Sequence, residues 1–106
     1  MSTPWILLLM AALFEVGWAI GLKYAHGFTR LWPSVWTALS MVLSMVLLAW
    51  AARSLAIGTA YAVWTGIGAA GTALLGVYLF DEPFTPARMA GVALIVSGVL
   101  LLKAAS

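Results

Sequence analysis

Apolar residues along this chain do not alternate with polar ones; they run together in four long stretches broken by short polar interruptions. A membrane-crossing helix needs roughly 17 to 25 mainly apolar residues, and each stretch meets that length. The first covers residues 4–22, with Ser2 or Thr3 as its N-cap and Pro4 at the first helical position, and it ends at Lys23. KYAHGFTR, residues 23–30, holds a glycine and three chargeable side chains and reads as a surface connection. A second helix is predicted over residues 31–52, with Pro33 tolerated in its first turn and Arg53 closing it. The third, residues 55–80, is long enough to tilt or bend, and Gly66 and Gly68 mark the place where a bend is expected. DEPFTPAR, residues 81–88, forms the last turn, and the fourth helix follows over residues 86–103. That helix is about 27 Å long at the usual rise, sufficient if Arg88 and Lys103 snorkel outward. The pattern predicts one four-helix transmembrane domain over residues 1–106, with no room for a soluble domain or a fifth span.

Composition names the solvent. Of 106 residues, 65% are hydrophobic and 8% charged, and three acids, five bases and one histidine cannot clothe a soluble domain of this size. The lipid bilayer is therefore the medium. Absent cysteine, disulfides and thiolate chemistry are excluded, and His26 alone cannot assemble an imidazole metal site, so neither a metal nor another cofactor is expected. A net charge of +2 from scattered residues makes no nucleic-acid surface. Nor does the start resemble a cleaved signal, because no Lys or Arg precedes the first apolar run. Trp5, Trp32, Trp36 and Trp50 fall near helix ends and are expected to anchor in the headgroup region.

Glu15 is the exception to this economy of charge. It lies about 11 Å inside the end of the first span, and no Lys or Arg is expected at that depth on another span. The acid must then spend time protonated or hold a cation that arrives from outside. Desolvation disfavours an ionised carboxyl, and a second carboxylate nearby disfavours it further, so such a group suits the exchange of a proton for a cation. Leu8, Ala11, Ala12, Trp18, Ala19 and Leu22 share its helix face. The small alanines leave room, and Trp18 can form a wall and donate its indole N–H to the carboxylate. Tyr61, Trp64, Thr65 and Gly68 form a stripe on the third span, and Ser40 and Ser44 another on the second. Singly, each of these is as readily a packing residue as a site residue.

Four short helices are too few to enclose an aqueous path, so an oligomer is expected. Gly91 and Gly98 lie on one face of the fourth span and permit close contact with another subunit. Lys23, Arg30 and Arg88 on one side of the membrane face Arg53, Lys103 and the terminal amine on the other. Balanced charge gives the positive-inside rule no preference, and two oppositely inserted copies would form an antiparallel homodimer.

A lone Glu in span one, KYAHGFTRLWPS after it and GTAYAVWTGIGAAG in span three together resemble the small multidrug resistance family, over nearly the whole chain. Within that family, exporters of polyaromatic cations carry a Gly three residues after the Glu and guanidinium exporters a Trp; FEVGWAIGLKY supplies Trp18. The resemblance implies a proton-coupled antiporter of the bacterial inner membrane that exports guanidinium or small guanidinyl cations by alternating access. It implies Glu15 as the shared proton and substrate site, Trp18 and Ser44 as hydrogen-bonding partners, and Tyr61 and Trp64 as the aromatic lining. It also implies dual-topology homodimers, while some relatives pair with an unequal partner. Ala56 stands where many relatives carry Pro, and Asp81 where relatives vary. The alternatives are a broad exporter of quaternary ammonium cations with the same acid and aromatic box, and a membrane assembly subunit whose Glu is structural. A planar cation with N–H donors around its rim suits a carboxylate fork and aromatic faces better than a bulky quaternary ammonium does.

Charge balance carries its own test. A reporter fused to the C-terminus is expected on both sides of the inner membrane in comparable amounts, and one added Lys on either side should tip the ratio. A single orientation of the unmodified protein expressed alone would count against a homodimer.

Overall fold

The computed structural model describes residues 2–105 and contains, among them, four α-helices: α1 (Thr3–Ala25), α2 (Leu31–Ala52), α3 (Ile57–Phe80) and α4 (Pro86–Ala105). All four are long and apolar enough to cross a membrane. The protein is an all-α membrane protein with four transmembrane helices.

Each helix begins and ends for a local reason. Ser2 is the N-cap of α1, with extended backbone and Pro in the first turn, although its side chain makes no capping bond. The helix continues past Leu22 through Lys23, whose cation sits in the last turn where the carbonyl ends are bare. It stops where His26, Gly27 and Phe28 all take positive φ, and Thr29 closes the turn by donating its amide to the Ala25 carbonyl at 2.9 Å. Between α2 and α3 the amides of Ser54 and Leu55 both reach the Ala51 carbonyl, at 3.1 and 3.0 Å. Asp81, at φ 54°, ends α3 in the left-handed conformation, and the Glu82 amide then donates to the Gly76 carbonyl at 3.3 Å. Helical geometry runs without interruption through Gly66 and Gly68, and both stand in close approach to neighbours.

Helix α1 packs against both α2 and α3, whereas the backbone of α4 packs on α3 and reaches α1 through the Lys103 side chain over Trp5. The core is made of the α1 stripe Trp5, Leu8, Ala11 and Ala12 with Ala51 of α2 and Ala60, Val63 and Trp64 of α3. Missing side chains let the backbones close. A Cβ on Gly21 would strike the Thr37 hydroxyl and come within 2.8 Å of Trp36. One on Gly71 would come within 2.8 Å of Val16, and one on Gly66 within 2.6 Å of Val99 on α4. Lipid replaces the hydrophobic drive between helices, so such contacts carry the packing. The apolar side chains left outside, such as Leu13, Leu39 and Leu94, face outward as hydrocarbon requires.

The tryptophans divide. Trp32 and Trp50 are exposed at helix ends as the belt rule expects, and Trp36 is exposed while donating its indole N–H to the Gly17 carbonyl at 3.0 Å. Trp5 departs from that expectation, being buried at 8% exposure. Its position on the Leu8 and Ala12 stripe turns it into the protein, where the Lys103 ammonium lies 4.5 Å from its ring centroid.

Two glycines separate close approach from mere helix composition. Gly21→Ala is expected to destabilise the protein by about 1–3 kcal/mol through overpacking. Gly58→Ala, which meets nothing within 4 Å, should be neutral or stabilising by about 0.4–1 kcal/mol. Unfolding midpoints in detergent would check both signs.

Candidate functional site

Glu15 lies midway along α1, and its carboxylate rests directly on the backbone of α3 at Gly68. Any side chain at Gly68 would occupy the space that the carboxylate fills. The seat therefore requires glycine for room rather than for an unusual φ. Beside it lies a cavity of about 580 Å³ between α1 and α3, lined by Glu15, Trp18, Thr65, Gly68 and Thr72 in its depth and by Lys23, Phe80 and Glu82 toward one end of the bundle. From Gly68 to Phe80 the helix climbs about 18 Å, more than half the hydrocarbon thickness. The cavity thus joins a site in mid-membrane to one membrane face.

Among the described residues, two buried side-chain polar atoms have no hydrogen-bond partner: Oε2 of Glu15 and Nε1 of Trp18. They line the same cavity. The expected indole-to-carboxylate bond is not formed, so one acceptor and one donor are both left for something else to satisfy. Buried polar atoms are rarely left so, and in a low-dielectric interior each such vacancy favours a ligand that fits it.

Ser44 and Trp64 meet elsewhere. The Trp64 indole donates to the Ser44 hydroxyl at 2.8 Å, and that hydroxyl donates to the Ala11 carbonyl of α1 at 2.6 Å. One hydroxyl thereby ties α1, α2 and α3 together, and its donor is already committed within the chain. Tyr61 packs on Trp64 with ring centroids 5.6 Å apart in a tilted arrangement, while the rest of its side chain is exposed. Ser40 is buried beside Gly17. The structure thus brings Glu15 and Trp18 into one cavity, and Ser44, Trp64 and Tyr61 into a neighbouring cluster one helical turn away.

Thr72 and Gly76 are cavity residues that sequence reasoning missed. The signal was present, because Thr65, Gly68, Thr72 and Gly76 recur at three- and four-residue steps along one α3 face. At the mouth, Lys23 extends its ammonium to 5.8 Å from the Phe80 ring centroid, and Arg88 pairs with Glu82 at 3.0 Å. Gly91 and Gly98 look onto open space. No group of acidic and imidazole side chains able to hold a metal occurs among the described residues.

The sequence profile described as Small Multidrug Resistance protein matches this chain over residues 3–95. The chain belongs to the small multidrug resistance family. Among its curated relatives is a protein of Escherichia coli K12 named guanidinium exporter, 60% identical over 99 residues that cover 93% of this chain and 94% of the relative. Guanidinium exporters of Citrobacter freundii and Salmonella typhimurium are each 58% identical over the same shares. Membership makes this small multidrug resistance protein a multi-pass membrane transporter.

The Ser44 junction yields a stability prediction. Ser44→Ala strands the buried Trp64 N–H and should cost about 1–3 kcal/mol. Ser34→Ala, whose exposed hydroxyl bonds only the Arg30 carbonyl of its own helix, should change stability by less than about 0.5 kcal/mol. Denaturant titration of the two variants in one detergent would test the contrast.

Proposed function

We propose that this small multidrug resistance protein exports guanidinium, or small guanidinyl cations, in exchange for protons across the bacterial inner membrane. The observation that carries the reading is the pairing of an unpartnered carboxylate oxygen with an unpartnered indole N–H in one mid-membrane cavity. The guanidinium-exporter names of its relatives support the choice of cation. A planar guanidinium offers N–H donors to the Glu15 carboxylate, and the Trp18 indole in turn can orient that carboxylate once the cation draws it forward.

Proton and cation use one acceptor. When Glu15 is ionised the site holds the cation; when it is protonated the charge that held the cation is gone, so the two ligands exclude each other. Transport requires that the site open to each side in turn. Here the cavity runs from Glu15 toward the membrane face that carries Lys23, Phe80 and Glu82. An oppositely inserted second copy supplies the mirror path, and exchange of conformation between two such subunits is alternating access. Helix α4, which has no buried residue and presents Gly91 and Gly98 to open space, is the face on which the second copy would settle. In the resulting dimer the two Glu15 groups titrate as a coupled pair.

Glu15→Gln keeps size and most hydrogen bonding but removes the titrating charge, and it should abolish proton-driven guanidinium flux in proteoliposomes while leaving a folded dimer. Undiminished coupled flux would remove Glu15 from the mechanism. For the wild-type protein in detergent, guanidinium affinity should fall as pH is lowered, because protonation competes with the cation for the same carboxylate. An affinity that is flat over the whole pH series, matching the Glu15→Gln control, would exclude competition.

A further inference from the structure

A second carboxylate lines the cavity, and proton exchange at Glu15 gives it no task. Glu82 stands at the mouth, and the backbone holds it there. After the left-handed turn at Asp81, its amide donates to the Gly76 carbonyl at 3.3 Å, and its side chain folds back over the last turn of α3. A side chain on Gly76 would collide with that carboxylate. Thus Gly76 does at the mouth what Gly68 does in the depth: each clears space for a carboxylate against the α3 backbone.

The partner of Glu82 is a guanidinium. Nη2 of Arg88 donates to its Oε1 at 3.0 Å. An acceptor that takes an N–H of the arginine side chain can take one from a free guanidinium ion, which presents the same planar N–H edge. The pair is also open to replacement, since Arg88 and Glu82 keep 35% and 39% of their side-chain surface in contact with solvent, where ion pairs are weak. Phe80 lines the same mouth, and the ammonium of Lys23 near its ring marks it as a surface that accepts cations. The positive charge of Lys23 keeps any cation held there loosely bound.

We propose that Glu82 is an outer station for the transported cation: guanidinium displaces the Arg88 side chain from Glu82, rests at the mouth near Phe80, and then passes along the cavity to Glu15. Arg88 is the resident competitor, which re-forms the ion pair when the cargo moves on. This inference rests on the reading of Glu15 as the central site.

The test uses the full-length protein in detergent, titrated with guanidinium chloride at constant ionic strength and followed by the NMR shifts of the Gly76 and Glu82 amides. In a Glu15→Gln background the tight central binding should vanish and a weak saturable response at the mouth should remain. Adding Glu82→Gln should remove that response, whereas adding Arg88→Gln should strengthen it about tenfold, the factor expected for freeing one charge-assisted hydrogen-bond acceptor. Both substitutions break the same ion pair, so a merely structural pair would shift the response in one direction. That outcome overturns the station, and a gain in binding cannot come from misfolding. Tetramethylammonium separates specific capture from general charge, because it carries the same charge without N–H donors. If Arg88→Gln strengthens both cations equally, the mouth acts only through its field and the station is overturned. If Glu15→Gln leaves the tight binding intact, the fault lies with the central site rather than with the station.

Discussion

One carboxylate has to be seated inside hydrocarbon, and the packing of this chain is arranged around that demand. Glu15 finds its place because α3 presents Gly68, a point where the opposing helix has no side chain to displace. Gly71 opposite Val16 continues the close approach of α1 and α3 beside that seat. The close approach also makes α1 the central helix, flanked by α2 on one side and α3 on the other. The space left where the helices diverge toward Phe80 is the cavity. Were the acid replaced by a large apolar side chain, the same backbones would have no reason to leave room for solvent between them.

Much of this was written in the sequence. Four apolar stretches of spanning length could hardly be anything but four transmembrane helices, because lipid offers no water to an unpaired backbone. The lone acid in the first stretch was equally plain. Less legible were the places where side chains settle after packing. Trp5 was assigned to the headgroup belt by its distance from the chain end, yet its helical phase with Leu8 and Ala12 carries it into the core. The phase was readable, and the end-of-helix rule obscured it. Trp18 could be placed beside Glu15 by spacing, but spacing does not say whether its N–H points at the carboxylate, and here the two atoms stay apart. The cavity stripe of Thr72 and Gly76 lay within reach of periodicity but went unread, while the fold of Glu82 back over Gly76 depends on a left-handed Asp81 that only the structure reveals.

Small residues do two different jobs along the helices, and composition cannot tell them apart. Gly21, Gly66, Gly68, Gly71 and Gly76 each admit a neighbour that a methyl group would obstruct, whereas Gly58, Gly91 and Gly98 meet nothing within this chain. The first group fixes the shape of the chain. The last two sit on α4, a helix with no buried residue, and their surface faces outward.

The hydroxyl of Ser44 has mechanical meaning as well. By accepting from Trp64 and donating to Ala11 it pins three helices at one height, with both bonds sealed from water. Pulling any one helix from the other two strands a polar group in a dry interior, so α1, α2 and α3 behave as a single stiff plate. The α3–α4 contact is of another kind: Val99 and Ile95 methyls lie against Gly66, with the Lys103 ammonium over Trp5 as its polar complement. The cavity is carved into the part of the bundle that the Ser44 hydroxyl ties together.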